Sequence, residues 1–383
     1  MTEINVAPTL SRRTVLAGTG AVALSPLSAT ARGASKKVLQ LFVGTFNTST
    51  TRGLTPFTLR LSDDSWALGT TLPDIQNASF GVYGPRHGLQ YLVDEQDKGR
   101  LAAYRVSAHG TAWERLADVP SMGSNPAFIT LDEAETCLVT ANYNSGTVAL
   151  YRLDPNTGLP LEPPDVMQDA GHGPNTDRQQ GPHAHCARFS PDQRFLYTVD
   201  LGTDEVVGYP FDTAKPALNR RFTAFHATPG SGPRHIIFHP HRPFAYLVAE
   251  IGSLVTALRR YPDGRLEQMQ ILSTLPPDFT AHNQAAHIAM NRAGSRLYIS
   301  NRGHNSIAVF AIAPSGKLTL LQHSSTGGDW PRFFLLLEDH KRLIVANERS
   351  GTLVLFHAAA DGTLQPTGKS LSMTEAVYVG RTA

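Results

Sequence analysis

The feature that most constrains this chain is an internal repeat with a period near fifty residues. Each copy holds an apolar strand, a polar turn, a second strand of the form xLYxxN, a short turn with Gly or Ser, and a closing xVxxYxL segment before glycine. Six copies run from Phe80 to Gly110, Phe128 to Gly158, His185 to Phe211, His235 to Gly264, Ile288 to Gly316 and Phe333 to Gly362. Aligned on the last residue of the second strand, they give Asp94, Asn142, Asp200, Ala249, Asn301 and Asn347, spaced 46 to 58 residues apart. The alternating Val, Leu, Tyr and Thr pattern excludes a helical solenoid, and several short strands per unit at this period predict a β-propeller. Leu39 to Thr45 and Pro56 to Leu61 offer strands at the start, and Ala376 to Gly380 offers one at the end. Joining the termini in one blade would close the ring and remove exposed sheet edges. The expected fold is all-β: a seven-bladed β-propeller over residues 35–383, with one blade closed by N- and C-terminal strands.

Residues 1–34 read as a separate targeting segment. Arg12 and Arg13 precede a moderately apolar stretch, Ala17 to Leu27, and Ala29-Thr30-Ala31 offers small residues for cleavage, the order expected of a twin-arginine export signal. A periplasmic or secreted protein is the expectation. No later segment reaches the roughly 18 apolar residues needed to span a bilayer. Lys plus Arg total 34 against 32 for Asp plus Glu, so the chain lacks the positive excess that grips nucleic acid, and a monomer acting on a small molecule is expected. Cys137 and Cys186 sit in apolar strand-like runs and read as buried free thiols.

In a propeller the first strand of each blade lines the central channel. Two positions per repeat should report on the channel mouth: the residue at the start of the first strand and the residue after the anchor. The first carries Ser79, Ala127, His185, Arg234, Ala286 and Arg332; the second carries Glu95, Tyr143, Leu201, Glu250, Arg302 and Glu348. Against a background of small residues, His185, Arg234 and Arg332 stand out. Repeat register therefore predicts that His185, Arg234, Glu250, Arg302 and Arg332 converge. The longest spacing holds a Gly- and Pro-rich insertion, Gly171 to His185, expected to form a rim or lid.

Arginines in a concave site bind anions through a planar fork matched to carboxylate or phosphate, and Arg234 and Arg302 fit that role best. Two readings of Glu250 stand: an ion pair with an arginine, or an acid/base couple with a histidine. His183 and His185 lie two apart and share a face of a strand. That spacing suits a metal, but no carboxylate or cysteine spacing completes a ligand set, so neither metal nor cofactor is expected.

Several ordered motifs carry a family resemblance: Gly181-Pro182-His183-Ala184-His185, Phe189-Ser190-Pro191-Asp192, Gly232-Pro233-Arg234-His235, Ala249-Glu250, Asn301-Arg302-Gly303-His304 and Pro331-Arg332. Through them the chain resembles the lactonase propeller family (cycloisomerase 2-like) that includes 6-phosphogluconolactonase and the fungal carboxy-muconate lactonizing enzyme. The resemblance implies a metal-independent lactonase with a catalytic His, two Args and a Glu, matched by His185 (or His183), Arg234, Arg302 and Glu250. His183, His287, His304 and Arg332 are then expected to contact substrate. His287 stands where the family often has Glu, and Phe333 where an acidic residue is common. Export argues for an unphosphorylated sugar-acid or aromatic-derived lactone. A muconate-type cycloisomerase and a non-catalytic ligand-binding propeller are the competing expectations.

Overall fold

The computed structural model describes residues 38–48 and 53–382; the export-signal reading of residues 1–34 lies outside them. The described residues form seven four-stranded antiparallel sheets. Blade 1 joins the chain ends, in the order Ala376–Arg381, Val38–Thr45, Thr55–Arg60 and Ser65–Leu68. Blades 2 to 7 each use four strands consecutive in sequence, and their inner strands are Gly81–Gly84, Pro126–Leu131, Ala184–Phe189, Pro233–Phe238, Gln284–Met290 and Pro331–Leu337. The seven-bladed propeller closed by both termini is thus the observed fold. Cys137 and Cys186 are buried and free. No helix among the described residues is long and apolar enough to cross a membrane.

The repeat consensus has a mechanical meaning. The Tyr of xLYxxN is buried on the second strand and its hydroxyl donates to a glycine carbonyl in the next blade: Tyr91 to Gly158, Tyr197 to Gly264, Tyr246 to Gly316 and Tyr298 to Gly362, at 2.7 to 3.0 Å. Gly264 turns with φ +91°, and a Cβ there would strike the Phe195 ring of the preceding blade. In blades 3, 6 and 7 an anchor asparagine ties the blade to the one before it. Asn142 Nδ2 donates to the Ser121 carbonyl and Asn301 Nδ2 to that of Thr274. Blade 4 differs: its anchor, Asp200, accepts the backbone N–H groups of His183 and Thr203 at 2.9 Å, which fixes the end of the long insertion.

A β-bulge recurs on the inner strand of blades 3 to 7. Against the second strand, register slips by one residue between Pro126 and Phe128, Ala184 and Cys186, Pro233 and His235, Ala285 and Ile288, and Pro331 and Phe333. The extra residue is Ala127, His185, Arg234 or Arg332, and in blade 6 the bulge spans Ala286 and His287. Bulges re-aim side chains. The repeat position carrying unusual residues is therefore a bulge that turns its side chain out of the pleat.

Below these bulges the channel is filled. Phe80 and Phe128 stack at 4.2 Å, and His235, His287, Phe333 and Tyr378 complete a plug of rings. The plug floors one mouth of the channel and leaves a pocket above it.

Candidate active site

A pocket of about 270 Å³ is lined by residues of six blades, which only a position on the propeller axis allows. Blade 2 supplies Glu95, blade 3 Tyr143, blade 4 His185, blade 5 Glu250, blade 6 Gln284 and Arg302, and blade 7 Trp330 and Arg332. Arg178 enters from the insertion.

Glu250 is the hub. Its side chain is 4% exposed, and its Oε2 meets Arg302 Nη2 at 2.7 Å and Arg234 Nε at 3.0 Å. Arg178 Nη2 donates to Oε1 at 2.7 Å. Burial alone would raise this carboxyl, but Arg302, Arg234, His185 and Arg178 together hold it well below the usual carboxylate range. Glu250 is thus ionised with both oxygens engaged, the ion-pair arrangement of the two readings. Arg234 lies behind it, fully buried, donating also to the Ala286 carbonyl at 2.9 Å. Burial and the facing Arg302 push Arg234 down to about 9, so it still carries its proton at neutral pH. Arg302 lies 5.5 Å from the centre of the Trp330 ring.

His185 faces this cluster. Its Nε2 stands 3.9 Å from Glu250 Oε2, and its Nδ1 is buried without a partner. Burial and the neighbouring Arg234 drive its pKa well below the ordinary histidine range, so the imidazole is neutral. Tyr143 and His235 pack edge-on against it, each with ring centres 5.2 Å away.

The insertion is folded around Gln179. That side chain is buried, donates to the Leu201 carbonyl at 2.8 Å and accepts the Asn175 N–H at 3.0 Å. A Cβ on Gly173 would come within 2.4 Å of it, which is why glycine is needed there. The peg sets Arg178 over the pocket, where it also reaches the Tyr143 hydroxyl at 3.0 Å.

Of the residues expected from sequence, His185, Glu250, Arg302 and Arg332 line the pocket and Arg234 backs it. Three histidines expected at the substrate do not line it. His183 stacks on Tyr143 at 4.6 Å and its Nδ1 bonds the Tyr143 carbonyl, so it holds Tyr143 in place. His287 lies in the plug, 4.2 Å from Phe333, because the wider bulge of blade 6 turns it below the mouth. His304 bonds Ser306 Oγ at 2.7 Å and packs on Phe279 and His323, away from the pocket. Sequence reasoning passed over Arg178, Tyr143 and Glu95. The last two occupy the same repeat position as Glu250 and Arg302, and Arg178 is the sole Lys or Arg between Gly171 and His185. Among the described residues, no three His, Cys, Asp or Glu side chains are grouped to hold a metal ion.

Comparison with known proteins agrees with this architecture. Residues 40–380 match the family described as "Lactonase, 7-bladed beta-propeller", and the chain belongs to that family. It is 31% identical over 318 residues to a 6-phosphogluconolactonase of Bacillus subtilis, covering 82% of this chain and 90% of that protein. Among solved structures, a protein from Lactobacillus plantarum superposes with a TM-score of 0.81 at 31% identity, covering 89% of this chain and 98% of that one. A periplasmic gluconolactonase of Pseudomonas aeruginosa superposes with a TM-score of 0.82 at 25% identity, covering 90% and 99%.

Proposed function

We propose that the protein is a lactone hydrolase acting on a sugar-acid or related anionic lactone. The observation that carries this reading is a neutral histidine beside a cationic cluster in one axial pocket. His185 takes a proton from water as the water oxygen attacks the lactone carbonyl carbon. The carbonyl oxygen becomes an oxyanion, stabilised by the Arg302 and Arg178 guanidiniums. The ring C–O bond then breaks, and the departing alkoxide takes the proton back from His185. One lactone and one water give one hydroxy acid, with no metal or cofactor step. Glu250 fixes the three arginines and does not itself move the proton.

The test is turnover of glucono-δ-lactone, its 6-phosphate and muconolactone by the chain lacking residues 1–34, beside His185→Ala. Hydrolysis well above the spontaneous rate, lost in the folded variant, is expected. No turnover on any lactone overturns the reading.

We also propose export by the twin-arginine route, supported by Arg12 and Arg13 ahead of the apolar run and by the periplasmic gluconolactonase among the similar structures. Arg12→Lys with Arg13→Lys should abolish accumulation outside the cytoplasm, as read by cell fractionation; unchanged accumulation overturns it.

A further inference from the structure

Across the axis from Glu250 the pocket has a second charged wall, lined by Glu95 of blade 2 and Arg332 of blade 7 with Glu348 beside Arg332, that the hydrolytic step does not use. Arg332 lies between two carboxylates, 3.6 Å from Glu95 Oε1 and 3.7 Å from Glu348 Oε2, with its guanidinium 5.0 Å from the centre of the Phe46 ring. Both ion-pair distances are too long for hydrogen bonds. Glu95 Oε2 and Glu348 Oε2 are buried and have no hydrogen-bond partner. Burial raises the Glu95 carboxyl, with Arg332 opposing the rise.

Buried polar atoms are nearly always paired, so open acceptors beside a pocket call for donors from what enters it. An ionised carboxylate only accepts and a guanidinium only donates. A group placed among the three must do both, and a hydroxyl does. Two carboxylates flanking one arginine suit adjacent hydroxyls. Charge sharpens the choice. This wall sets one guanidinium against two carboxyl groups and carries no positive excess, whereas Glu250 with Arg178, Arg234 and Arg302 sums to two positive charges. An anionic group is drawn to the arginine cluster at Glu250 and not to this wall.

We propose that Glu95 and Glu348, spaced by Arg332, form a polyol-binding subsite. It selects lactones that carry neutral vicinal hydroxyls away from the scissile carbonyl and discriminates against a second carboxylate or phosphate at that end. Glu95 and Glu348 are specificity residues; Arg332 is a positioning residue. The substrate class is an unphosphorylated polyhydroxy lactone, and dicarboxylate lactones of the muconate type are disfavoured. The assignment rests on the hydrolase reading above.

The experiment measures kcat/KM, each divided by the spontaneous rate, for glucono-δ-lactone, its 6-phosphate and unsubstituted δ-valerolactone. The proteins are the wild type, Glu348→Gln, and Glu95→Gln with Glu348→Gln. At about tenfold per lost hydrogen bond to a charged acceptor, the wild type should prefer glucono-δ-lactone to δ-valerolactone by about 100-fold. The double variant should lose most of that ratio, on the gluconolactone side alone, and gain relative activity on the 6-phosphate. A wild-type ratio near one overturns the proposal, as does a parallel loss on all three lactones in a variant that melts normally. If the double variant does not fold, the Glu348→Gln ratio decides in the same way. If the wild type hydrolyses no lactone, the hydrolase reading has failed, and calorimetry with gluconate and hexanoate still reads the subsite. Preferential gluconate binding that the variant loses keeps it; equal binding of the two removes it.

Discussion

The pocket holds two inverse arrangements of the same groups. At Glu250 one carboxylate is clasped by three guanidiniums at 2.7 to 3.0 Å; at Arg332 one guanidinium stands between two carboxylates at 3.6 and 3.7 Å. In the first both carboxylate oxygens are engaged, and Glu250 behaves as scaffold for its arginines. The second leaves buried oxygens open and is built to take something from outside. A charged residue in a pocket is thus a reagent only to the extent that its neighbours leave it unsatisfied. By that measure His185, with an unpartnered Nδ1, is less satisfied than Glu250.

The sharpest way to break the comparison is Glu250→Ala. It strands Arg234 and Arg302 as buried charges, and removing one partner of a buried pair costs about 3–5 kcal/mol. Denaturant unfolding should show that loss, and lactone turnover should fall to background; a loss under about 1 kcal/mol would mean that the cluster is not scaffold. His185→Ala should instead spare stability to within about 2 kcal/mol and lower kcat by about 10²–10⁴. The pH profile sharpens the assignment. The folded pKa of His185 lies well below 6.5, so the neutral base survives as pH falls through 6.5 and is lost only as pH falls through the lowered value. An acid limb of kcat/KM at or above pH 6.5 would assign the base elsewhere. Arg178→Gln removes a one-third exposed member of the clasp, so about tenfold in kcat/KM and under about 1 kcal/mol in stability are expected. Arg332→Met should shift the unfolding free energy by under about 1 kcal/mol, since its contacts are long; a cost like that of Glu250→Ala would erase the contrast between the walls.

How much of this was legible beforehand follows the repeat. Comparing equivalent positions picked out His185, Arg234, Glu250, Arg302 and Arg332 because a propeller puts equivalent residues at equivalent radii. The method failed where blades are not equivalent. His287 falls on a two-residue bulge, so register by count misjudges its height in the channel. His304 lies two residues beyond Arg302, past a glycine with φ +124°, and the turn carries it toward Phe279. Arg178 belongs to an insertion with no counterpart in other blades, so no register could assign it. His183 shared a strand face with His185 only on the assumption that the strand begins before it. The inner strand begins at Ala184.

The sequence by itself determined the architecture, because the repeat of strand, turn, buried tyrosine and closing glycine is a local code: each unit specifies its own sheet and its latch to the next. It also determined which residues of the repeated strands reach the axis, since ring closure makes sequence register into spatial register. Only the tertiary structure decided what those residues are free to do. Whether Glu250 is a base or a clasp depends on the simultaneous approach of Arg178, Arg234 and Arg302, from an insertion and two blades. Whether Glu95 is open depends on Arg332, which is more than two hundred residues away in the chain. Protonation and hydrogen-bond vacancy are set by charges within a few ångströms and by exclusion of water, and those come from packing seven blades around one point.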